Sequence, residues 1–130
     1  MKTNVILSAF AAIVLSSAFS FNANASETPQ ASVSSDDYYI LNELDRVKAN
    51  TTDVWTVTLH RGETYMFIVE GDGDTDLDLY VYDDEGNRLA SDTDNTDRCL
   101  CFVTARWTGS YKVKVKNYGS VYNEYRIKVI

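Results

Sequence analysis

From Trp55 to Val129, apolar side chains recur at every second position in short runs separated by turns. Period two is the repeat of a β-strand, whose successive side chains point to opposite faces. In the run 54–59, Trp55, Val57 and Leu59 share one side and Thr56 and Thr58 the other, before Arg61-Gly62-Glu63 turns the chain. In 64–70, Tyr65, Phe67 and Val69 oppose Met66 and Ile68, so both faces are apolar and a place inside a sheet is expected. Leu77, Leu79 and Val81 alternate with Asp76, Asp78, Tyr80 and Tyr82, which are expected to face outward. Asp83-Asp84-Glu85-Gly86-Asn87 is a turn, after which 88–91 should return antiparallel. A short strand follows over 100–104. Next comes one with Tyr111, Val113 and Val115 inward and Lys112, Lys114 and Lys116 outward, and last one with Tyr125, Ile127 and Val129 inward. All six glycines fall between Gly62 and Gly119, and the single proline, Pro29, interrupts no strand. The pattern predicts an all-β chain: an antiparallel β-sandwich of jelly-roll or Greek-key type with six to eight strands.

The N-terminal part reads differently. Lys2, an uncharged apolar stretch from Val5 to Phe21 and the small-residue site Ala23-Asn24-Ala25 form a three-part export signal over 1–25. Residues 26–35 are small and polar and read as a flexible leader, which leaves 36–130 as a single domain. The expected location is secreted or periplasmic, with no membrane association after cleavage and a monomeric state. Residues 36–50 fit two patterns. Ile40, Leu41, Leu44 and Val47 suit a short amphipathic helix begun by Ser35, whereas 46–49 suit a first strand turned by Asn50-Thr51-Thr52-Asp53. A helical or irregular entry followed by a short strand is the expectation.

The formal net charge of −7 speaks against binding nucleic acid electrostatically. That charge is unevenly spread. Glu70 to Asp97 holds eleven acidic residues and one basic residue, Arg88, a local net charge of −10, whereas 98–130 carries +6. Asp72, Asp74, Asp76 and Asp78 alternate, and Asp92, Asp94 and Asp97 recur beyond the hairpin. Like charges on one side of a strand repel unless a cation or basic partner compensates. Closely spaced hard oxygen donors are what Ca²⁺ takes, so Asp72, Asp74, Asp76, Asp78 and Asp94 are the candidate Ca²⁺ ligands, with Asp53 more remote. The segment is no EF-hand, because Leu77 stands where that loop needs glycine. The plainer alternative is that these aspartates cap turns and keep the surface soluble.

Cys99 and Cys101 form a C-x-C pair. In a regular strand their Cα atoms lie about 6.5–7 Å apart, at the edge of disulfide reach, so a strained local bridge and two free thiols both stay open. His60 sits in a turn and no nucleophile motif accompanies it, so no catalytic residue is assigned. Of the nine tyrosines, Tyr65, Tyr111 and Tyr125 suit the core, and the hydroxyl of Tyr111 could anchor a corner. Tyr80, Tyr82, Tyr118 and Tyr122 are the candidate ligand-binding residues.

The run Gly71-Asp72-Gly73-Asp74-Thr75-Asp76-Leu77-Asp78-Leu79-Tyr80-Val81-Tyr82-Asp83 resembles the signature of bacterial pre-peptidase C-terminal domains. Three further elements are similar: Asp53-Val54-Trp55 opening a strand that ends Leu59-His60-Arg61-Gly62-Glu63, the hairpin Asp84-Glu85-Gly86-Asn87, and Trp107-Thr108-Gly109-Ser110-Tyr111 before a late strand. The likeness runs from Arg46 to Val129. It implies a jelly-roll-like sandwich related to the collagen-binding domains of clostridial collagenases. Such domains usually follow a secreted protease and are not catalytic; some bind calcium and some bind protein or polysaccharide. This sequence departs from the family's usual arrangement in holding no protease unit beside the module. The expected role is therefore a secreted, non-catalytic binding module for an extracellular protein or polysaccharide, stabilised by calcium. The alternatives are a small carboxylate-dependent hydrolase and an inhibitor or pro-segment-like partner of a secreted protease.

Overall fold

A computed structural model describes residues 39–130. The export signal, the leader and the first three residues of the expected domain lie outside the described residues. Eight strands follow one another: β1 (Leu41–Val47), β2 (Thr52–Leu59), β3 (Thr64–Gly71), β4 (Leu77–Tyr82), β5 (Arg88–Asp92), β6 (Arg98–Thr104), β7 (Gly109–Asn117) and β8 (Asn123–Val129). They form two four-stranded sheets, β1-β8-β3-β6 and β2-β7-β4-β5, antiparallel at each pairing. Most consecutive strands lie in opposite sheets, as in a jelly roll. The predicted sandwich and the interior position of β3 are both found.

The alternation dictates the packing. Trp55, Val57 and Leu59 of β2, Leu77, Leu79 and Val81 of β4, and Tyr111, Val113 and Val115 of β7 line the inside of one sheet. Phe67 and Val69 of β3 and Tyr125, Ile127 and Val129 of β8 face them from the other. Each large side chain taken from water contributes roughly 1.5–3 kcal/mol. A slip of one residue would turn a strand's whole apolar set to solvent, so this layer also sets the register.

The entry segment corrects one expectation. Leu41–Val47 is a strand and not a helix, paired along its full length with β8 from Leu41↔Val129 to Val47↔Asn123. Leu41 and Val47 are buried while Leu44 is 56% exposed on the outer face. The i, i+3 spacing that suggests a helix arises because β1 is an edge strand. Its two ends reach the core, while Glu43 and Asp45, on the same side between them, are exposed and half-buried, respectively. Without β1, the outer backbone groups of β8 would lack ladder partners. Lys48 to Thr51 then turns the chain, with Asn50 at φ 53° and the Thr51 amide donating to the Lys48 carbonyl.

The cysteines resolve as free thiols. Both lie on β6 and point into the core on either side of Leu100, and the regular strand keeps them apart. The Cys99 thiol donates to the Leu77 carbonyl at 3.1 Å. Burial, with a smaller contribution from nearby aspartates, pushes the Cys99 thiol up to about 12 and the Cys101 thiol to about 11. They are protonated and shielded, and therefore unreactive.

One polar chain crosses the apolar layer. The Trp55 indole N–H on β2 donates to the Tyr125 hydroxyl on β8 at 2.8 Å, and that hydroxyl donates to Asp53 at 3.0 Å. Desolvation raises the Tyr125 phenol well above its usual range, so it stays a donor. Tyr111 forms the expected corner: its hydroxyl donates to the Trp107 carbonyl at 2.8 Å and its ring stacks on Trp107.

Two outcomes follow. Tyr125→Phe strands the Trp55 N–H in the core and should cost about 1–3 kcal/mol. For a domain of this size that is a fall of roughly 5–20 °C in melting temperature. Trp55→Phe with Tyr125→Phe should lose less than the sum of the single variants, because the two share one bond. A thiol reagent should label neither cysteine in the native protein and both after denaturation; fast native labelling would contradict the buried placement.

Candidate binding face and acidic loop

Asp72, Asp74, Asp76, Asp94 and Asp97 sit at one end of the sandwich, in the β3–β4 connection (residues 72–76) and the β5–β6 connection (93–97), whereas Asp83, Asp84 and Glu85 belong to the β4–β5 hairpin at the other end. The two connections lie side by side: the Gly71 amide donates to the Asp97 carbonyl at 2.9 Å and the Leu77 amide to the Thr96 carbonyl at 3.1 Å. Gly71 is needed there, because a Cβ at this position would collide with the side chains of Asp97 and Asn123.

Several of these carboxylates serve the backbone. Asp72 accepts from the Glu124 amide at 2.9 Å and the Asp74 amide at 3.2 Å. Asp97 accepts from the Gly73 amide and the Asn123 side chain. Asp94 accepts from both the amide and the hydroxyl of Thr96, at 2.9 and 2.7 Å, and Asp92 from the Leu100 amide at 2.9 Å. Buried Asn123 also donates to the Thr75 hydroxyl at 3.1 Å. Short polar side chains holding neighbouring amides are ordinary turn chemistry.

Asp76 differs. Its Oδ1 is buried and has no hydrogen-bond partner. Burial first, then the charges of Asp78 and Asp94, raise its carboxyl above the usual range. Of the five candidate ligands, the structure thus places Asp76, Asp78 and Asp94 where their charges interact, while Asp72 is engaged in the β3–β4 turn and Asp74 is exposed beside it. Among the described residues, no three His, Cys, Asp or Glu side chains converge as a ready metal cage.

Asp78 faces outward as the alternation predicts, yet only 5% of it is accessible. Tyr80 covers it and donates its hydroxyl to Asp78 at 2.5 Å. This bond is the main cause that raises the Tyr80 phenol far above its ordinary value, with the neighbouring Tyr118 hydroxyl, 3.4 Å away, adding to it. Asp78 is therefore a positioning group for Tyr80 as well as a candidate ligand.

The outer face of the sheet β2-β7-β4-β5 carries Tyr80 and Tyr82 on β4. Register sets Tyr80 opposite Lys114, Tyr82 opposite Lys112, and Asp78 opposite Lys116. The Tyr80 and Tyr82 rings lie 6.4 Å apart and are tilted by 31°. The Lys114 ammonium sits 4.7 Å from the centre of the Tyr82 ring and that of Lys116 4.0 Å from the Tyr118 ring. Such cation–π contacts hold both partners in place. Thr52 and Val54 of β2 complete a shallow groove of about 450 Å³ with Tyr80, Tyr82, Lys114 and Lys116. Three of the four candidate tyrosines thus share one surface. Tyr122 does not. It is 51% exposed and lies under Arg46 of β1, in a separate groove with Leu44 and Glu124 on the other sheet. Tyr118 and Tyr122 flank one turn, but the chain has crossed between sheets by then.

The lysines were visible in the sequence as an alternating row, but their partners were not. Placing β4 beside β7 brings Lys114 to the Tyr82 ring, while Lys116 meets the ring of Tyr118, two residues further along the chain. The carboxylates make their ion pairs elsewhere, as Glu70 does with Lys128 at 2.9 Å. His60 stays in its turn, where its backbone amide donates to the Tyr65 hydroxyl.

A solved structure has this architecture: the pre-peptidase C-terminal domain of collagenase from Bacillus anthracis. The superposition has a TM-score of 0.57 at 18% identity and covers 69% of this chain and 90% of that one. The chain has the fold of a pre-peptidase C-terminal domain. No protein-family model and no curated protein sequence matches it.

At the far end of β4, Asp83 closes the hairpin by accepting from the amide of Asn87 at 2.8 Å and from its side chain at 2.9 Å. Burial alone would raise this carboxyl. The hydrogen bonds from Asn87, Glu85 and Gly86 outweigh it and leave Asp83 below the usual range. A carboxyl depressed in the folded state stabilises above its unfolded value, near 3.9, and that stabilisation is lost as pH falls through the folded value. Acid melting curves should therefore show Asp83→Asn losing less stability than wild type between about pH 4 and pH 2. Parallel curves for the two proteins would contradict the assignment.

Proposed function

We propose that the chain is an exported, non-catalytic accessory module that binds an extracellular protein or polysaccharide through the outer face of β2-β7-β4-β5. The observation that carries this reading is the aromatic surface of Tyr80, Tyr82 and Tyr118, half-buried or exposed and braced by Asp78, Lys114 and Lys116. Rigid amphipathic rings supply contact area at low entropic cost. The collagenase-domain fold and the N-terminal export signal support the same role. The carboxylate-hydrolase alternative finds less support. The sandwich interior is filled by side chains, and the acidic groups lie in rim connections where several bond backbone amides.

The test is retention of the purified mature chain on insoluble collagen and on a panel of insoluble polysaccharides. Tyr82→Ala and Tyr118→Ala, checked for unchanged melting, should weaken retention at least tenfold. Retention unaffected by both would overturn the assignment of this face.

Calcium stabilisation is a second proposal, resting on the buried, unpartnered Oδ1 of Asp76 and the flanking charges of Asp78 and Asp94. A bound Ca²⁺ would supply the missing counter-charge, with carbonyls and water completing its shell. In calcium-free buffer, Asp76→Asn should raise the melting temperature by removing a destabilised charge. Wild type should gain stability in millimolar Ca²⁺, and Asp76→Asn should not. An unchanged wild-type midpoint on adding Ca²⁺ would eliminate this proposal.

A further inference from the structure

The binding face is a cationic surface on an anionic protein, and this specifies its ligand more narrowly. Lys112, Lys114 and Lys116 alternate along the outside of β7, about 7 Å apart at the two-residue repeat of a strand. Arg88 of β5 is paired with Tyr82 and extends the cationic surface. The carboxylate within this register is Asp78, which is covered and bonded to Tyr80. The chain as a whole carries −7. A concentration of cations on the surface that also presents the aromatic rings favours an anionic ligand.

Resting on the reading of this face as the binding surface, we infer that its ligand is an anionic polysaccharide of the polyuronate kind, with one carboxylate on each sugar ring. Four observations carry this. The groove is shallow and lined by residues of three neighbouring strands, which suits a ligand lying across the sheet; a protein anchor needs a deep pocket for its central side chain. The Tyr80 and Tyr82 rings lie along the strand with centroids 6.4 Å apart, two apolar surfaces for neighbouring sugar rings once the Lys114 ammonium leaves the Tyr82 ring. Thr52 and Thr56 of β2, on the same face, add hydroxyls beside the lysine row. The lysines are single, separated charges, matched to a ligand with sparse single charges. The acidic connections at the end of the same sheet oppose a polymer of higher charge density, such as a nucleic acid. In the complex, ligand carboxylates would draw the Lys114 and Lys116 ammonium groups from the Tyr82 and Tyr118 rings, freeing those rings for the sugar.

The experiment measures binding of the mature chain to soluble polygalacturonate, with dextran, dextran sulfate, poly-glutamate and oligo-dT as comparisons. Expected is binding to polygalacturonate above all four. It should weaken steeply from about 0.01 M to about 1 M salt, as screening shortens from about 30 Å to about 3 Å. Lys112→Gln/Lys114→Gln/Lys116→Gln should bind at least tenfold more weakly, and Lys114→Arg should retain most of the affinity. If the triple variant fails to fold, Lys114→Gln alone should still lose several-fold. Stronger binding to dextran sulfate overturns the carboxylate assignment, and stronger binding to poly-glutamate or oligo-dT overturns the polysaccharide. Binding to dextran or collagen that needs Tyr82 but not the lysines overturns this inference and leaves the binding-module reading standing. Absence of polygalacturonate binding overturns it outright.

Discussion

Every strand of the sandwich has two faces, and the two sheets share only the inner ones. The buried layer from Trp55 and Phe67 to Ile127 and Val129 must be continuous, because a strand displaced by one residue would expose its whole apolar set. That requirement fixes the pairing of β4 with β7. Once Leu79 lies against Val115 and Val81 against Val113, Tyr80 must lie against Lys114 and Tyr82 against Lys112 on the opposite side. The surface chemistry is thus a consequence of the core.

The interior also admits polar groups, and Trp55, Tyr125, Asn117 and Asn123 each find a partner there. The Trp55–Tyr125–Asp53 chain ties one sheet to the other through a geometry that apolar contacts alone do not impose. Asn117 and Asn123 begin and end the crossing between the sheets. Asn117 donates to the Val121 carbonyl at 2.8 Å and accepts from the Gly119 amide at 2.7 Å. Asn123 holds Thr75 and Asp97. The turn that separates Tyr118 from Tyr122 is therefore braced from within, and the two rings serve different surfaces.

Charge is segregated along the chain and again in space. The β3–β4 and β5–β6 connections meet at one end, where Asp72, Asp94 and Asp97 accept from backbone amides and Asp76 is left with a buried, unpartnered oxygen. The lysines of β7 are spread along an outer face, and Lys114 and Lys116 are held over aromatic rings. These two arrangements support different proposals, a cation at the acidic end and an anionic polymer on the lysine face. The mean net charge alone distinguishes neither.

Alternation and turn residues determined the fold class, seven of the strands and the inward residues of β2, β4, β7 and β8, because period-two patterning is local and each glycine turn punctuates it. The expected corner at Tyr111 and the aspartate-rich turns were legible for the same reason. Only tertiary structure decided the rest. Leu41–Val47 is a strand because β8 offers it a partner, which no spacing of Leu41, Leu44 and Val47 reveals. Cys99 and Cys101 stay thiols because β6 is regular there. The site followed the same division. The sequence showed which side of each strand Tyr80, Tyr82 and the lysines occupy. It could not show that Tyr80 would cover Asp78, or that Tyr118 would join them and Tyr122 would not. Those outcomes depend on which strands lie side by side, and that is settled by closing a core between residues far apart in the chain.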